Sequence, residues 1–225
     1  MTFSVSGRCA RTGMFGIAVS SSSPCVAARC AHARAGVGAV ATQNITDPTL
    51  GRRGLDLMQS GLSAAEALEK ITADAPHIAY RQLALIDSRG QSAGYSGDKT
   101  LGLHAVAKGT DVIAAGNLLA VTAVPQAMVA AFEASAADDL GDRLIAAMQA
   151  GLDAGGEEGT VHSAGMLLVD KVEWPVADLR LDWHETDPIG SLAELWHLWK
   201  PQMRDYITRA LDPGTAPTYG VPGDL

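Results

Sequence analysis

Three places in this chain carry residue types that can do chemistry. The chain opens Met1-Thr2-Phe3-Ser4-Val5, so loss of Met1 leaves a threonine at the amino terminus. Such a residue combines a hydroxyl nucleophile with its own general base, the free α-amine. That amine titrates near ~8, where it can take a proton at neutral pH. The second place is Gly116-Asn117. An asparagine amide can donate to an oxyanion, and a flanking glycine lets backbone approach a ligand; the same pair also reads as a turn. The third is Asp178, Asp182 and His184. Strand geometry would put all three on one face, a rival metal or acid–base cluster set against the simpler reading of a solvated strand end.

Other chemistries lack their signatures. Neither a phosphate-binding G-x-x-x-x-G-K-[ST] nor a nucleophile elbow G-x-S-x-G occurs. GVGAVA at 36–41 matches a loose G-x-G-x-x-A dinucleotide pattern, but its glycines fall inside a strand-like segment rather than at a helix start. Close sheet packing of small residues explains them. The six histidines form neither an H-x-H nor an H-x-x-x-H pair, and Cys9, Cys25 and Cys30 lack C-x-x-C spacing. We expect reduced thiols, a cytoplasmic location, no metal and no cofactor. Ser20 to Ser23 is a run of hydroxyls with no base beside it in sequence, and reads as a polar loop.

Net charge is −8, which argues against a nucleic-acid or anionic-membrane partner. No apolar run reaches membrane-spanning length. With 225 residues, 47% of them apolar and 19% charged, the chain can bury a sizeable core.

The chemistry must be held by segments that alternate in pairs. Strand patterns at 3–10 and 14–20 meet at Arg11-Thr12-Gly13, a hairpin signal. Residues 20–35 read as a loop with a short irregular or helical piece, and 36–43 as a third strand. Helices follow at 48–59 and, after the capping box Ser63-Ala64-Ala65-Glu66, to about Ala73. Strands at 82–87 and 91–95, then 103–107 and 111–115, precede helices at 124–135 and 139–153, the second ending at Gly155-Gly156. Strands at 163–169 and 178–183 lead to a last helix opened by Asp187-Pro188 and broken near Pro201. Hairpins alternating with helix pairs predict an α+β fold: a four-layer αββα sandwich of two packed antiparallel sheets flanked by helices. Residues 1–211 read as one domain and 212–225 as a Pro/Gly-rich tail without periodicity. Trp196 and Trp199, with Leu192 and Leu195, form a stripe on the last helix that suits core or subunit packing. From it, and from a tail with little reason to pack alone, we expect a homodimer.

Six blocks then occur in fixed order: FSVSGRCARTGMFGIAVSS, ARAGVGAVATQ, RQLALIDSRG, AAGNLLA, HSAGMLLVD and DLRLDWHETDPI. Together, over about residues 2–200, they resemble the bacterial and archaeal family called domain of unknown function 1028. The resemblance implies a fold like that of the N-terminal nucleophile (Ntn) hydrolases and hydrolysis of a small-molecule amide through an acyl-enzyme, without naming the substrate. It makes Thr2 the nucleophile, its α-amine the base (directly or through a water), and Asn117 the oxyanion donor. Gln43 would line the cleft. Arg81, of the pair Arg81-Gln82, would bind a substrate carboxylate through two parallel bonds. Ser163 and Arg180 fall in matched blocks as substrate-binding residues without defined roles. Two positions depart from the pattern: Ser22-Ser23 stands where relatives carry Ser-Lys, and Val161-His162 where they carry Arg-Gln. The alternative is a non-catalytic ligand-binding or assembly protein on the same scaffold.

Overall fold

Gly13 has a φ of 79°, the left-handed region where glycine carries no steric penalty, and turns β1 (Thr2–Arg8) back into β2 (Phe15–Ser21). The computed structural model describes residues 2–221. Short helix α1 (Val26–Cys30) and strands β3 (Ala31–Arg34) and β4 (Gly38–Asn44) follow. Next come helices α2 (Pro48–Gln59) and α3 (Ala64–Asp74), then strands β5 (Arg81–Asp87), β6 (Ser92–Ser96), β7 (Ala105–Gly109) and β8 (Val112–Asn117). Helices α4 (Val124–Ala134) and α5 (Leu140–Asp153), strands β9 (Ser163–Val169) and β10 (Ala177–Leu181), and helices α6 (Pro188–Trp199) and α7 (Met203–Leu211) complete the order.

Helix starts are set locally. Asp47 accepts from the Thr49 N–H ahead of Pro48, and Ser63 and Glu66 form a reciprocal capping box. Asp187 accepts from the Gly190 N–H with Pro188 at the first helical position. Pro201 separates α6 from α7, because it can neither donate to the ladder nor avoid the preceding turn.

Two antiparallel sheets form, one in the order β10-β9-β2-β1-β8-β7 and one in the order β3-β4-β5-β6. The short helical piece expected within 20–35 is α1, but the end of that segment is not loop: Ala31–Arg34 is β3, an edge strand paired with β4 from Ala31↔Ala41 to Arg34↔Gly38. Ala31 and Ala33 alternate with His32 and Arg34 and pack toward the inter-sheet layer, but the run is four residues long and holds no β-branched or aromatic strand former, so the pairing comes from its partner rather than from propensity.

The layers follow from which face each strand buries. Phe3 and Val5 on the six-stranded sheet pack with Met128, Phe132, Leu144 and Ala147 of α4 and α5, and Leu179 of β10 with Leu192 and Trp196 of α6. Val40, Leu83 and Leu85 of the other sheet pack under Leu50, Leu55 and Ile71 of α2 and α3. Between the sheets lie Phe15, Ile17, Ala39, Ala41, Ala84, Ile86, Ile113 and Ala115. The architecture is thus the four-layer αββα sandwich read from the sequence. Close approach needs small residues: a Cβ at Gly38 would sit 2.1 Å from the Ile86 carbonyl oxygen.

Both tryptophans of α6 are used within the chain. Trp196 is buried against Gly141 and donates to Asp142 Oδ1 at 2.8 Å. Trp199 donates to the Val176 carbonyl at 2.9 Å and packs against Tyr206. The expectation of a homodimer therefore no longer rests on them. Of the tail, residues 212–221 are without helix or strand, and Arg209 of α7 caps the Tyr219 ring at 3.9 Å while donating to the Pro217 and Thr218 carbonyls. Residues 222–225 of the tail and Met1 lie outside the described residues. Among the described residues, no helix is long and apolar enough to cross a membrane.

Candidate active site

Thr2 begins a central strand. β1 lies between β2 and β8, with Thr2 opposite Asn117 on one side and Phe3 opposite Ser20 on the other. Strand alternation sends Thr2 and Ser4 to the inter-sheet side, since Phe3 and Val5 face α4 and α5. Thr2 is 5% exposed, and its Oγ1 donates to Ser21 Oγ at 3.4 Å. Ser21 Oγ meets Ser23 Oγ at 2.8 Å, and the Arg29 guanidinium donates to Ser23 Oγ. A hydroxyl chain therefore runs from Thr2 to a cation. It passes through Ser21 and Ser23 of the serine run that reads as a plain loop in the sequence.

Beneath Thr2 a buried polar network joins the sheets. Ser4 Oγ donates to Gln43 Oε1 at 2.7 Å, and Gln43 Nε2 donates to Gln82 Oε1 at 2.7 Å. Asn117 Nδ2 donates to the same Gln82 oxygen at 3.1 Å. Gln82 Nε2 donates to the Gly116 carbonyl and to Ser96 Oγ, both at 2.9 Å. The carbonyl acceptor fixes which way the Gln82 amide points, and that orientation propagates to Gln43 and Asn117. Gln43, Gln82 and Asn117 are all fully buried. The expected oxyanion donor, Asn117, thus has an amide hydrogen engaged by Gln82, while its Oδ1 is buried without a partner.

Ser163 lies beside Ser21 in the β2–β9 pairing and donates to the Ser23 carbonyl at 2.7 Å, anchoring the turn after β2. Thr2, Gln43, Asn117 and Ser163 are therefore brought to one end of the inter-sheet layer. Two expected residues stand apart. Arg81 precedes inward-facing Gln82, so its side chain leaves on the opposite face of β5, where it donates to the Ile45 carbonyl. Arg180 sits on edge strand β10 and grips Asp178 through two bonds of 2.7 and 2.8 Å. That pairing also removes Asp178 from the rival acidic cluster. His184 Nδ1 accepts from the Thr186 and Asp187 N–H groups, and no metal-holding group of three forms among the described residues. His162 stacks on Trp183 at 4.4 Å.

One site residue escapes the sequence reading altogether. Glu157 is 5% exposed and follows Gly155 and Gly156, whose φ angles of 122° and 57° reverse the chain after α5. Its backbone bridges Leu119, two residues beyond Asn117. Oε2 accepts from the Ser22 N–H at 3.2 Å, and Oε1 is buried without a partner. Burial pushes the Glu157 carboxyl up to about 7, with the amino terminus of the chain and the Ser22 N–H pulling the other way. The Gly-Gly cap marks this turn in the sequence, but nothing there says which of Glu157 and Glu158 turns inward.

Recesses open elsewhere. One of about 280 Å3 lies at the opposite end of the sandwich, lined by Cys9, Arg11, Thr110, Asp111, Glu133 and Arg143. Arg143 there is 6% exposed, lies 3.7 Å over the Phe132 ring and donates twice to the Phe132 carbonyl.

No protein of curated function matches the chain. A crystal structure of a Silicibacter pomeroyi protein assigned to the DUF1028 family model is 30% identical, with a TM-score of 0.83, over 91% of this chain and 89% of that one. Anbu (ancestral beta-subunit) from Yersinia bercovieri is 12% identical at a TM-score of 0.42, over 91% and 97% of the two chains. An Anbu Gly-1 mutant from Hyphomicrobium sp. strain MC1 is 10% identical at 0.39, over 93% and 97%. Neither Anbu similarity is strong enough to bear on the chemistry. The family model of unknown function, DUF1028, matches residues 2–192, and this chain belongs to that family.

Proposed function

We propose that the chain, once it begins at Thr2, is an Ntn-type amidohydrolase that cleaves the C–N bond of a small amide. The observation that carries this reading is the placement of Thr2. It starts a central strand, turns its hydroxyl into the inter-sheet layer, and meets Ser21 on one side and Asn117 on the other. Thr2 Oγ1 would attack the amide carbonyl while the α-amine takes the hydroxyl proton. The C–N bond then breaks and the leaving nitrogen takes that proton from the ammonium. Water hydrolyses the resulting ester and restores Thr2. The hydroxyl chain to Arg29 supports the reading, because a cation at its far end favours negative charge developing on Thr2 Oγ1.

The test is a β-lactone or activated-acyl probe on chain that begins at Thr2, followed by peptide mass spectrometry. The expected result is one acyl group on Thr2, and loss of hydrolysis by about a thousandfold or more in Thr2→Ala on any amide found to be cleaved. Full activity in Thr2→Ala would end the proposal.

A second reading, ligand binding without chemistry, is favoured by one observation: Thr2 is 5% exposed while an open recess lies at the other end, around Cys9 and Arg143. Under it, Thr2→Ala leaves ligand affinity unchanged and no acyl adduct forms.

A further inference from the structure

We propose that Glu157 and Asn117 are the positioning residues of the nucleophile, holding the α-amine of Thr2 between the Glu157 carboxylate and the Asn117 side-chain oxygen. The inference rests on the hydrolase reading for its purpose, but its geometry stands on the fold.

Three observations converge. The first is where Glu157 lies. β2 and β8 flank β1, so their extensions past the end of β1 are two strand spacings apart, roughly 9–10 Å. Glu157 touches both extensions: Ser22, just past β2, donates to its carboxylate, and Leu119, just past β8, pairs with its backbone. It therefore spans the gap at which β1 begins, which is where the Thr2 α-amine must emerge.

The second observation is unmet hydrogen bonding. Asn117 Oδ1 and Glu157 Oε1 are both buried without a partner, and Asn117 is the residue opposite Thr2. A buried acceptor left unpaired costs roughly 1–3 kcal/mol, so two of them beside one strand end call for a donor. The remaining unpartnered buried side-chain atoms among the described residues are hydroxyl oxygens or arginine Nε donors. An α-ammonium offers three N–H donors, enough for both acceptors.

The third is charge. Among the described residues, no arginine, lysine or histidine forms an ion pair with Glu157. Its neighbour Glu158 is exposed, and the amino terminus is the charged group that acts on Glu157. A buried carboxylate needs a charged or hydrogen-bonding partner, and the freed ammonium supplies both. In the reaction the neutral form of the α-amine, in equilibrium with that ammonium, takes the Thr2 hydroxyl proton. Glu157 then stabilises that ammonium until the leaving nitrogen accepts the proton.

The experiment compares two full-length chains released from a cleavable amino-terminal fusion, one beginning at Met1 and one at Thr2. The two place the ammonium about 3.8 Å apart along the backbone. Side-chain 13C titration of Glu157 should have its midpoint at least about one pH unit lower in the Thr2-first chain, as an adjacent opposite charge requires. Equal midpoints would overturn the proposal without any mutant having to fold. In the Thr2-first chain, Glu157→Gln should lower the α-amine titration by about one unit, with Glu157→Asp intermediate. An unmoved amine titration in folded Glu157→Gln would also overturn it. The hydrolase reading fails separately: shifted titrations with no acyl adduct on Thr2 would leave the charge pair standing and remove the catalysis.

Discussion

The layer between the two sheets has two halves built on the same alternation but filled with opposite chemistry. Along the inward face, β2 runs from Phe15 and Ile17 to Ser21, β4 from Ala39 and Ala41 to Gln43, and β8 from Ile113 and Ala115 to Asn117. β5 runs the other way, from Gln82 to Ala84 and Ile86. Because the sheets are antiparallel, these opposite sequence directions put all the polar ends together, around Thr2 and Ser4. The apolar half needs only shape and volume. The polar half, equally dry, must pair every donor and acceptor or lose free energy for each one missed. It pairs almost all of them, and the two carbonyl or carboxylate oxygens it leaves over sit at the start of β1.

Substitutions that treat the halves differently sharpen the contrast. The largest effect is expected in the apolar half. Ile17 is fully buried between the sheets, and Ile17→Ala should destabilise by about 2–5 kcal/mol in urea unfolding. A loss below about 1 kcal/mol would mean the layer collapses easily and is not the rigid half.

Next in size is a pH-dependent effect in the polar half. Burial raises the Glu157 carboxyl from 4.5 to about 7, so the folded chain holds that proton more tightly than the unfolded chain. The associated stability is complete below about pH 4.5 and is lost as pH rises through about 7. Glu157→Gln removes that dependence. In a Met1-first chain, Glu157→Gln should be more stable than the parent by about 3 kcal/mol near pH 8, with the difference vanishing near pH 4. In a Thr2-first chain the adjacent ammonium should shrink it. Parallel stability curves for the two proteins across that range would show that the carboxyl is not held in a dry site.

The smallest effect concerns the hub of the network. Gln82→Leu keeps the approximate volume but strands the Gln43 and Asn117 amide nitrogens and the Gly116 carbonyl. We expect a loss of about 1–3 kcal/mol in thermal or urea unfolding. A neutral result would mean the network relaxes onto water.

Much of this was readable from the chain. The capping box at Ser63, the N-cap Asp187 before Pro188, the turn at Gly13 and the alternating hairpins and helix pairs are local signals, and local backbone physics decides them. β3 was not readable, because Ala31 to Arg34 become a strand only by pairing with β4. The site divides in the same way. Thr2 is marked by its own chemistry, and Gln43, Asn117 and Ser163 by the blocks that carry the family resemblance. Arg81 and Arg180 fall in those blocks too, yet strand alternation and an adjacent aspartate turn them to other partners.

The layers could be read from the chain because periodicity, caps and turns act within a few residues; the six ordered blocks carry the family, and the chemistry of a threonine after Met1 marks the candidate nucleophile. Tertiary structure alone decided what surrounds Thr2. It threaded Ser21 and Ser23 into a hydroxyl chain, spent an Asn117 amide hydrogen on Gln82, and folded Glu157 over the start of β1. Those residues lie between 19 and 155 positions from Thr2 in the chain. Only the pairing of strands β1, β2 and β8 brings them together, and pairing across such distances leaves no period or spacing in the sequence to read.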